Sequence, residues 1–208
     1  MTKKVITISP DDSLIDAAVL LKEKKIKHLP IVKDGRLVGI LSDRDIKEYS
    51  PSKSTSLDVF EIRYLLGKTK CGDIGKTNVI TTDPDTPIEE AAILMIDHNI
   101  GCLPVIEKGK LVGIISDKDL FKVIVDIMKD RQSGLRIFCN LEDRQDSIKE
   151  VIDIIIKHGF EIQNVLTSYT GVKKGFKKVV IRTEGEGDFK YLKSELERHY
   201  KDLDIRKG

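Results

Sequence analysis

Apolar and polar positions along the first part of the chain spell the same succession twice. A short extended run, Val5 to Ser9, meets Pro10. Leu14, Ala17, Ala18 and Leu21 then recur at helical spacing and predict a helix of about a dozen residues with one apolar face. Leu29 to Lys33 reads as a strand, Asp34-Gly35 as a hairpin turn, and Leu37 to Leu41, nearly unbroken apolar, as a buried strand. That strand ends at Ser42, where another helix begins. Downstream, Lys108-Gly109 takes the turn, Leu111 to Ile115 the buried strand, and Asp119 to about Lys129 the helix. The helix start is most legible in the second copy. Thr86-Pro87-Ile88-Glu89 offers an N-cap Thr, a Pro at the first helical position and a capping-box Glu. By the repeat, Asp12 is expected to cap the first copy.

The two copies are offset by about 74 residues without a gap, and roughly 19 of 42 positions from Val5 to Ile46 are identical to their partners. Val5-Ile6-Thr7 matches Val79-Ile80-Thr81, and Leu29-Pro30 matches Leu103-Pro104. A unit repeated once does not make a solenoid. It makes a pseudo-twofold pair of β-α-β-β-α units with an interface where equivalent segments meet. Between the copies, Tyr49 to Ser56 is polar, contains Pro51 and reads as loop, and Leu57 to Leu66 reads as an inserted helix. Lys70 to Asn78 leads into the second copy.

Arg131 to Gly134 reads as a hinge, with Gly134 stopping a helix. A different pattern follows. Leu135 to Leu141 alternates as a strand, and Ser147 to His158 has an apolar helical face that Gly159 ends. Phe160 to Thr167 and Lys178 to Arg182 read as strands, Phe189 to Tyr200 as a helix, and Leu203 to Arg206 as a last strand. That order, β-α-β-β-α-β, is ferredoxin-like. The fold class is therefore α+β, rich in α/β elements.

Composition narrows the function. The 208 residues are 40% hydrophobic, 34% charged and only 5% aromatic with no Trp, so the core must be aliphatic. A net charge of +2 argues against general attraction to nucleic acid. No window approaches a membrane span, and Met1-Thr2-Lys3-Lys4 lacks the apolar stretch of a signal peptide. Cys71, Cys102 and Cys139 are an odd number, widely spaced, and fit free thiols in the cytoplasm.

The sharpest chemical signal is Ser42-Asp43-Arg44-Asp45 with Ser116-Asp117-Lys118-Asp119, each where a buried strand turns into a helix. A helix N-terminus offers unpaired N–H groups to a phosphate, and a Ser hydroxyl adds a donor. The carboxylate one turn on can accept from two vicinal hydroxyls, as on ribose, with Arg44 and Lys118 bringing positive charge. The same Ser-x-x-Asp pattern is also an ordinary helix cap, and both readings stand at the level of residues.

The repeats resemble cystathionine-β-synthase (CBS) domains, two of which form a Bateman module. The resemblance rests on Val-Ile-Thr before Asp/Ser-Pro, on Ala17-Ala18 and Ala91-Ala92, and on the two Leu-Pro pairs. It closes on Gly39-x-x-Ser42-x-x-Asp45 and Gly113-x-x-Ser116-x-x-Asp119. It covers about 60% of the chain. It implies an adenine nucleotide (AMP, ADP or ATP), with the Asp on ribose, the Ser on phosphate and the base beside the other copy. Carried over, Ser116 and Asp119 would face Ser9, Lys27 and His28. Ser42 and Asp45 would face Asp83, Gly101 and Cys102. Asp83 replaces Ser9, and Gly101-Cys102 replaces Lys27-His28, so the two sites are not expected to bind equally.

The C-terminal part resembles an ACT domain in pattern. That family often places Gly in the turn after its first strand to admit an amino acid; Asp146 stands there, which argues against such binding and for a dimerisation or regulatory role. The combination resembles the acetoin-utilisation B-type proteins, and the stretch from Ser50 to Leu66 fits that subgroup. The implied domains are a CBS pair over 1-131 (repeat 1 about 1-56, inserted helix 57-66, repeat 2 about 70-131) and an ACT-like domain over 134-208.

His28, His98, His158 and His199 show no metal-ligand spacing, and only His28 stands at a candidate ligand position. Cys102 reads as a small core residue. The basic runs Lys22 to Lys27 and Lys173 to Lys178 read as solvated surface. No phosphate loop, nucleophile elbow or catalytic constellation is present. The expectation is a non-catalytic, cytoplasmic sensor of adenine nucleotides, homodimeric, acting on a regulated protein, with neither membrane nor nucleic acid as partner. The alternative is a ligand-independent oligomerisation module.

Overall fold

The computed structural model describes residues 1–50, 58–128 and 134–207. The loop expected around Pro51, the expected start of the inserted helix at Leu57 and the hinge from Arg131 lie outside the described residues. The chain divides into two compact units, Met1–Lys122 and Val123–Gly208, with the division inside a helix.

The first unit holds α1 (Leu14–Lys24), β1 (His28–Lys33), β2 (Arg36–Ser42), α2 (Asp43–Tyr49), α3 (Val59–Lys68) and α4 (Cys71–Ile74). It continues through α5 (Ile88–Asp97), β3 (Cys102–Glu107), β4 (Lys110–Ser116) and the start of α6 (Asp117–Met128). The duplication is kept to the residue. Each hairpin turns on two consecutive left-handed residues, Asp34-Gly35 and Lys108-Gly109, as its tight turn requires. Each carries its register shift at the same place, between Ile31 and Val32 and between Val105 and Ile106. Ile8 bridges Ile31 in parallel, and Thr82 bridges Val105. The extended run from Val5 thus pairs through this bridge and forms no strand.

The copies also exchange a segment. Thr2 bridges Ile114 of the second hairpin, and Lys76, its repeat counterpart, bridges Ile40 of the first. Two backbone hydrogen bonds close each crossing, of 2.8 and 3.0 Å at Ile114 and 2.9 and 3.0 Å at Ile40. Glycine permits the approach. A Cβ on Gly39 would stand 3.2 Å from the Lys76 carbonyl oxygen, and one on Gly113 would press on Met1 Sδ and stand 3.4 Å from the Thr2 carbonyl oxygen.

Three helix starts differ from expectation. Ser13, not Asp12, caps α1, in a full capping box with Asp16. Asp12 instead accepts the Ser9 N–H at 2.8 Å and closes the preceding turn. In the second copy Pro87 is the cap residue of α5 and supplies no side-chain bond. Thr86 Oγ1 accepts from the Asp83 N–H, again one turn early. Helix α6 begins at Asp117, ahead of Asp119, which lies within the first turn and accepts from the Ser116 N–H. The short α4 was invisible to periodicity, being one turn long. With α3 it helps close the first repeat's core, where Leu14, Leu29, Leu41 and Cys71 are fully buried. The second repeat's core is smaller, formed around Ala91, Met95 and Leu103.

The second unit carries β5 (Leu135–Glu142), α7 (Ser147–Lys157), β6 (Glu161–Ser168), β7 (Phe176–Glu184), α8 (Phe189–His199) and β8 (Leu203–Lys207). Its four antiparallel strands run β6-β7-β5-β8. This is the β-α-β-β-α-β split arrangement expected from the sequence. Val151, Ile155, Leu192 and Leu196 of the helices meet Ile137, Cys139, Val179 and Ile181 of the sheet, all essentially without solvent contact. Lys157 and His158 both reach Glu195, joining α7 to α8. Asp146 before α7 is left-handed (φ 64°), a backbone conformation that favours Gly.

Gly134 has a packing role at the mouth of β5. A Cβ there would overlap the Thr183 carbonyl oxygen. Gly134→Ala is expected to lower stability by about 1–3 kcal/mol through overpacking, measured by urea unfolding; an unchanged midpoint would contradict this contact.

Candidate functional site

Each hairpin delivers its second strand into a helix at a serine. Ser42 is extended (φ −116°, ψ 162°) and caps α2; its Oγ accepts the Asp45 N–H at 3.2 Å. Asp45 Oδ2 in turn accepts from the Ser42 N–H at 2.7 Å and from the Ser42 hydroxyl. At the other corner Asp119 Oδ2 accepts from Ser116 N–H at 2.9 Å and from Ser116 Oγ at 2.8 Å. The corners are held by matching backbone bonds, Asp43 N–H to the Lys27 carbonyl and Asp117 N–H to the Gly101 carbonyl, both 3.0 Å. The cap reading of Ser-x-x-Asp is thus realised in full at Ser42; at Ser116 only the return half is present among the described residues, Asp119 accepting from the Ser116 N–H. It leaves open what each carboxylate does with its second oxygen.

There the corners differ. Asp45 Oδ1 receives Lys76 Nζ at 3.1 Å. Asp119 Oδ1 has no hydrogen bond or ion pair among the described residues. Both carboxyls lie below the ordinary carboxylate range. Burial pushes Asp45 up, and hydrogen bonds from Ser42 and Lys76 outweigh it. At Asp119 burial is outweighed by the two bonds from Ser116, helped by the chain's amino terminus and Lys122.

Two open pockets flank these corners, and their walls correspond through the repeat. One joins Ser116, Lys118 and Asp119 to Val5, Lys27 and His28. The other joins Ser42, Arg44 and Lys76 to Val79, Gly101 and Cys102. The reciprocal crossing explains why each wall draws on both copies. Every wall position of the first pocket has its counterpart in the second except Asp119, because Asp45 is only 8% exposed and does not reach the second wall.

Ser9 and Asp83 line neither pocket. The bridges at Ile8 and Thr82 commit the chain to the hairpins just before them. Ser9 Oγ then accepts from the Asp11 N–H, and the Asp83 N–H donates to Thr86. The residues before the bridges, Val5 with Ile6 and Val79 with Ile80, take the wall positions instead. Thr2 and Lys76 were also missed. Their signal in the sequence was the register of the repeat, continued upstream of Val5 and Val79.

His28 and Cys102 are repeat counterparts and line both pockets. The imidazole fits because residue 101 is Gly: a Cβ there would stand 3.3 Å from His28 Cε1. Burial lowers the His28 pKa, against the attraction of Asp117, with Lys27 lowering it further. Burial, and then Asp117, push the Cys102 thiol up to about 12, so it is a buried thiol and not a nucleophile at neutral pH. No helix among the described residues is long and apolar enough to cross a membrane.

The CBS domain model matches residues 1–52 and 71–126. A candidate acetoin utilization protein (AcuB) from Vibrio cholerae is similar in structure, with TM-score 0.52 and 34% identity over 62% of this chain and 89% of that one. CBSX2, solved in complex with AMP, gives TM-score 0.51 and 29% identity over 62% of this chain and 95% of that one. The CBS domain pair of MJ0100, solved with 5′-methylthioadenosine and S-adenosyl-L-methionine, gives TM-score 0.50 and 30% identity over 61% of this chain and 92% of that one.

The lowered His28 pKa sets a pH dependence. A group that titrates lower folded than unfolded binds more protons in the unfolded chain, so stability falls as pH drops from the ordinary histidine value of 6.5 toward the folded pKa. The denaturant midpoint of wild type is expected to fall through that window, and His28→Gln to flatten it. Equal slopes for the two proteins would rule out the assignment. The Asp45 and Asp119 contributions are lost only at lower pH, below the ordinary aspartate value of 3.8.

Proposed function

Because the chain belongs to the CBS-domain family, we propose that its paired repeats form a non-catalytic regulatory module for adenosine-containing ligands, AMP, ADP or ATP first among them. The observation that carries this reading is the pocket where Asp119 keeps a carboxylate oxygen without a partner among the described residues, beside Ser116 and Lys118, with Lys27 and His28 of the other copy opposite. The carboxylate oxygen suits ribose hydroxyls. The ammonium groups of Lys27 and Lys118 suit a phosphate. Val5 and Ile6 supply an apolar bed for a base. AMP, 5′-methylthioadenosine and S-adenosylmethionine share the adenosine that such a pocket would grip. The last two lack phosphate and would rely on the ribose and base contacts alone.

Binding across two copies biases their relative geometry by as much as the ligand's affinity differs between arrangements. The second unit would pass that bias to a regulated protein or across a homodimer. We read this unit as ACT-like, on its strand order and on the left-handed Asp146 at the turn where that family often has Gly. The Asp146 side chain disfavours an amino acid there, so dimerisation or relay is the better role.

A second reading keeps one specific support. The capping box at Ser42 is complete, as a purely structural corner would have it. A ligand-independent oligomerisation module predicts a loss of about 1 kcal/mol for Ser42→Ala whether or not nucleotide is present.

Thermal unfolding with AMP, ADP, ATP, 5′-methylthioadenosine and S-adenosylmethionine separates the two, since a ligand that binds only the native state raises the midpoint. At least one of the panel is expected to raise it. Asp119→Ala is then expected to cost about 2–4 kcal/mol of binding, roughly 30- to 1,000-fold by calorimetry. A flat panel would favour the oligomerisation module; equal affinity in the variant would refute the role given to Asp119.

A further inference from the structure

We infer that Lys76 closes one of the two matching pockets, so that the module takes one adenosine ligand per chain, at Asp119, and that this single residue sets the count. The inference rests on the adenosine reading of the Asp119 pocket.

The repeat supplies an internal control. Thr2 and Lys76 are counterparts, bridging Ile114 and Ile40 in the same way. The backbone therefore brings both side chains to the same place beside their respective Ser-x-x-Asp corners. Thr2 carries no charge and leaves Asp119 Oδ1 without a hydrogen bond or ion pair among the described residues; the amino terminus and Lys122 act on that carboxylate only from farther away. Lys76 carries an ammonium that lies 3.1 Å from Asp45 Oδ1. With Oδ2 already accepting twice from Ser42, all the hydrogen bonding of Asp45 that faces the protein is spoken for.

Geometry and charge agree. Asp45 is the one position that the second wall lacks, while Lys76 lies on that wall. A ribose arriving there would have to displace the ammonium and bond a carboxylate it does not reach. The ion pair by itself is modest, since the lysine is 68% exposed. Its effect is to raise the cost of one site relative to its twin. The remaining wall of the second pocket is intact: Val79 and Ile80 repeat Val5 and Ile6, so removing the obstruction restores a bed of the same kind.

The test counts sites. AMP is titrated by calorimetry and by equilibrium dialysis into full-length wild type, Lys76→Thr and Lys76→Thr/Asp45→Ala. One site is expected in wild type, two in Lys76→Thr, and one again in the double variant. Affinity at the second site should rise at least tenfold in Lys76→Thr. Unchanged thermal midpoints without ligand show that the variants fold; Lys76→Gln repeats the measurement if the Thr variant does not. Independently of any ligand, the Asp45 carboxyl carbon followed by NMR should titrate higher in Lys76→Thr than in wild type. Two sites in wild type, or one site in wild type and in Lys76→Thr alike, overturns the role of Lys76 and leaves the adenosine reading standing. No binding of AMP, 5′-methylthioadenosine or S-adenosylmethionine to wild type or Lys76→Thr overturns both.

Discussion

The reciprocal crossing of backbones is the constraint from which the first unit follows. Thr2 lies on the second hairpin and Lys76 on the first, and each crossing is closed by two backbone hydrogen bonds. These bonds lie where the chain has little freedom to do otherwise, since Gly39 and Gly113 clear the space that a side chain would fill. Once the segments are exchanged, Val5 and Ile6 must continue along the partner's corner, and Val79 and Ile80 along the other. The pockets are consequences of the exchange and are not separate constructions.

The caps then decide how those pockets are furnished. At each corner the Asp one turn on accepts from the N–H and the hydroxyl of the Ser at the strand end, which fixes both side chains in place; at Ser42 the hydroxyl also accepts from the helix. The same bonds orient the carboxylates so that only one oxygen of each is available for anything else. Each carboxylate thus has a single lone-pair-bearing edge left over from the helix start. At Asp119 that edge is open; at Asp45 a lysine from the exchanged segment occupies it. Two pockets built from one duplicated plan thus differ at a residue upstream of the motif they share.

Much of this was legible from residue pattern. Turns at Asp34-Gly35 and Lys108-Gly109, the places of the second strands and the β-α-β-β-α-β order of the second unit all follow from period and turn chemistry. Their burial does not: only Gly39 and Leu41 of β2 and Gly113 of β4 are buried, and Val38 is exposed. Helix starts were less legible, because Asp12, Ser13, Thr86 and Pro87 are each competent at more than one position. The outcome turned on which residue the preceding bend had already used. Ser9 and Asp83 were expected at the pockets because a linear motif does not reveal where a parallel bridge ends its access. Lys76 escaped notice for the opposite reason: it precedes the recognisable motif, and its importance exists only in the exchange.

The exchange also bears on what half of this unit would be. Separated from its twin, either copy would present a strand edge, at Ile40 or at Ile114, with its N–H and C=O groups bare. Bare edges seek partners. A lone copy would find its nearest complement in another of itself, trading leading segments through the same glycine gap. Carried in one chain, the two copies make that meeting an internal one, and each half is free to differ from the other without losing its mate.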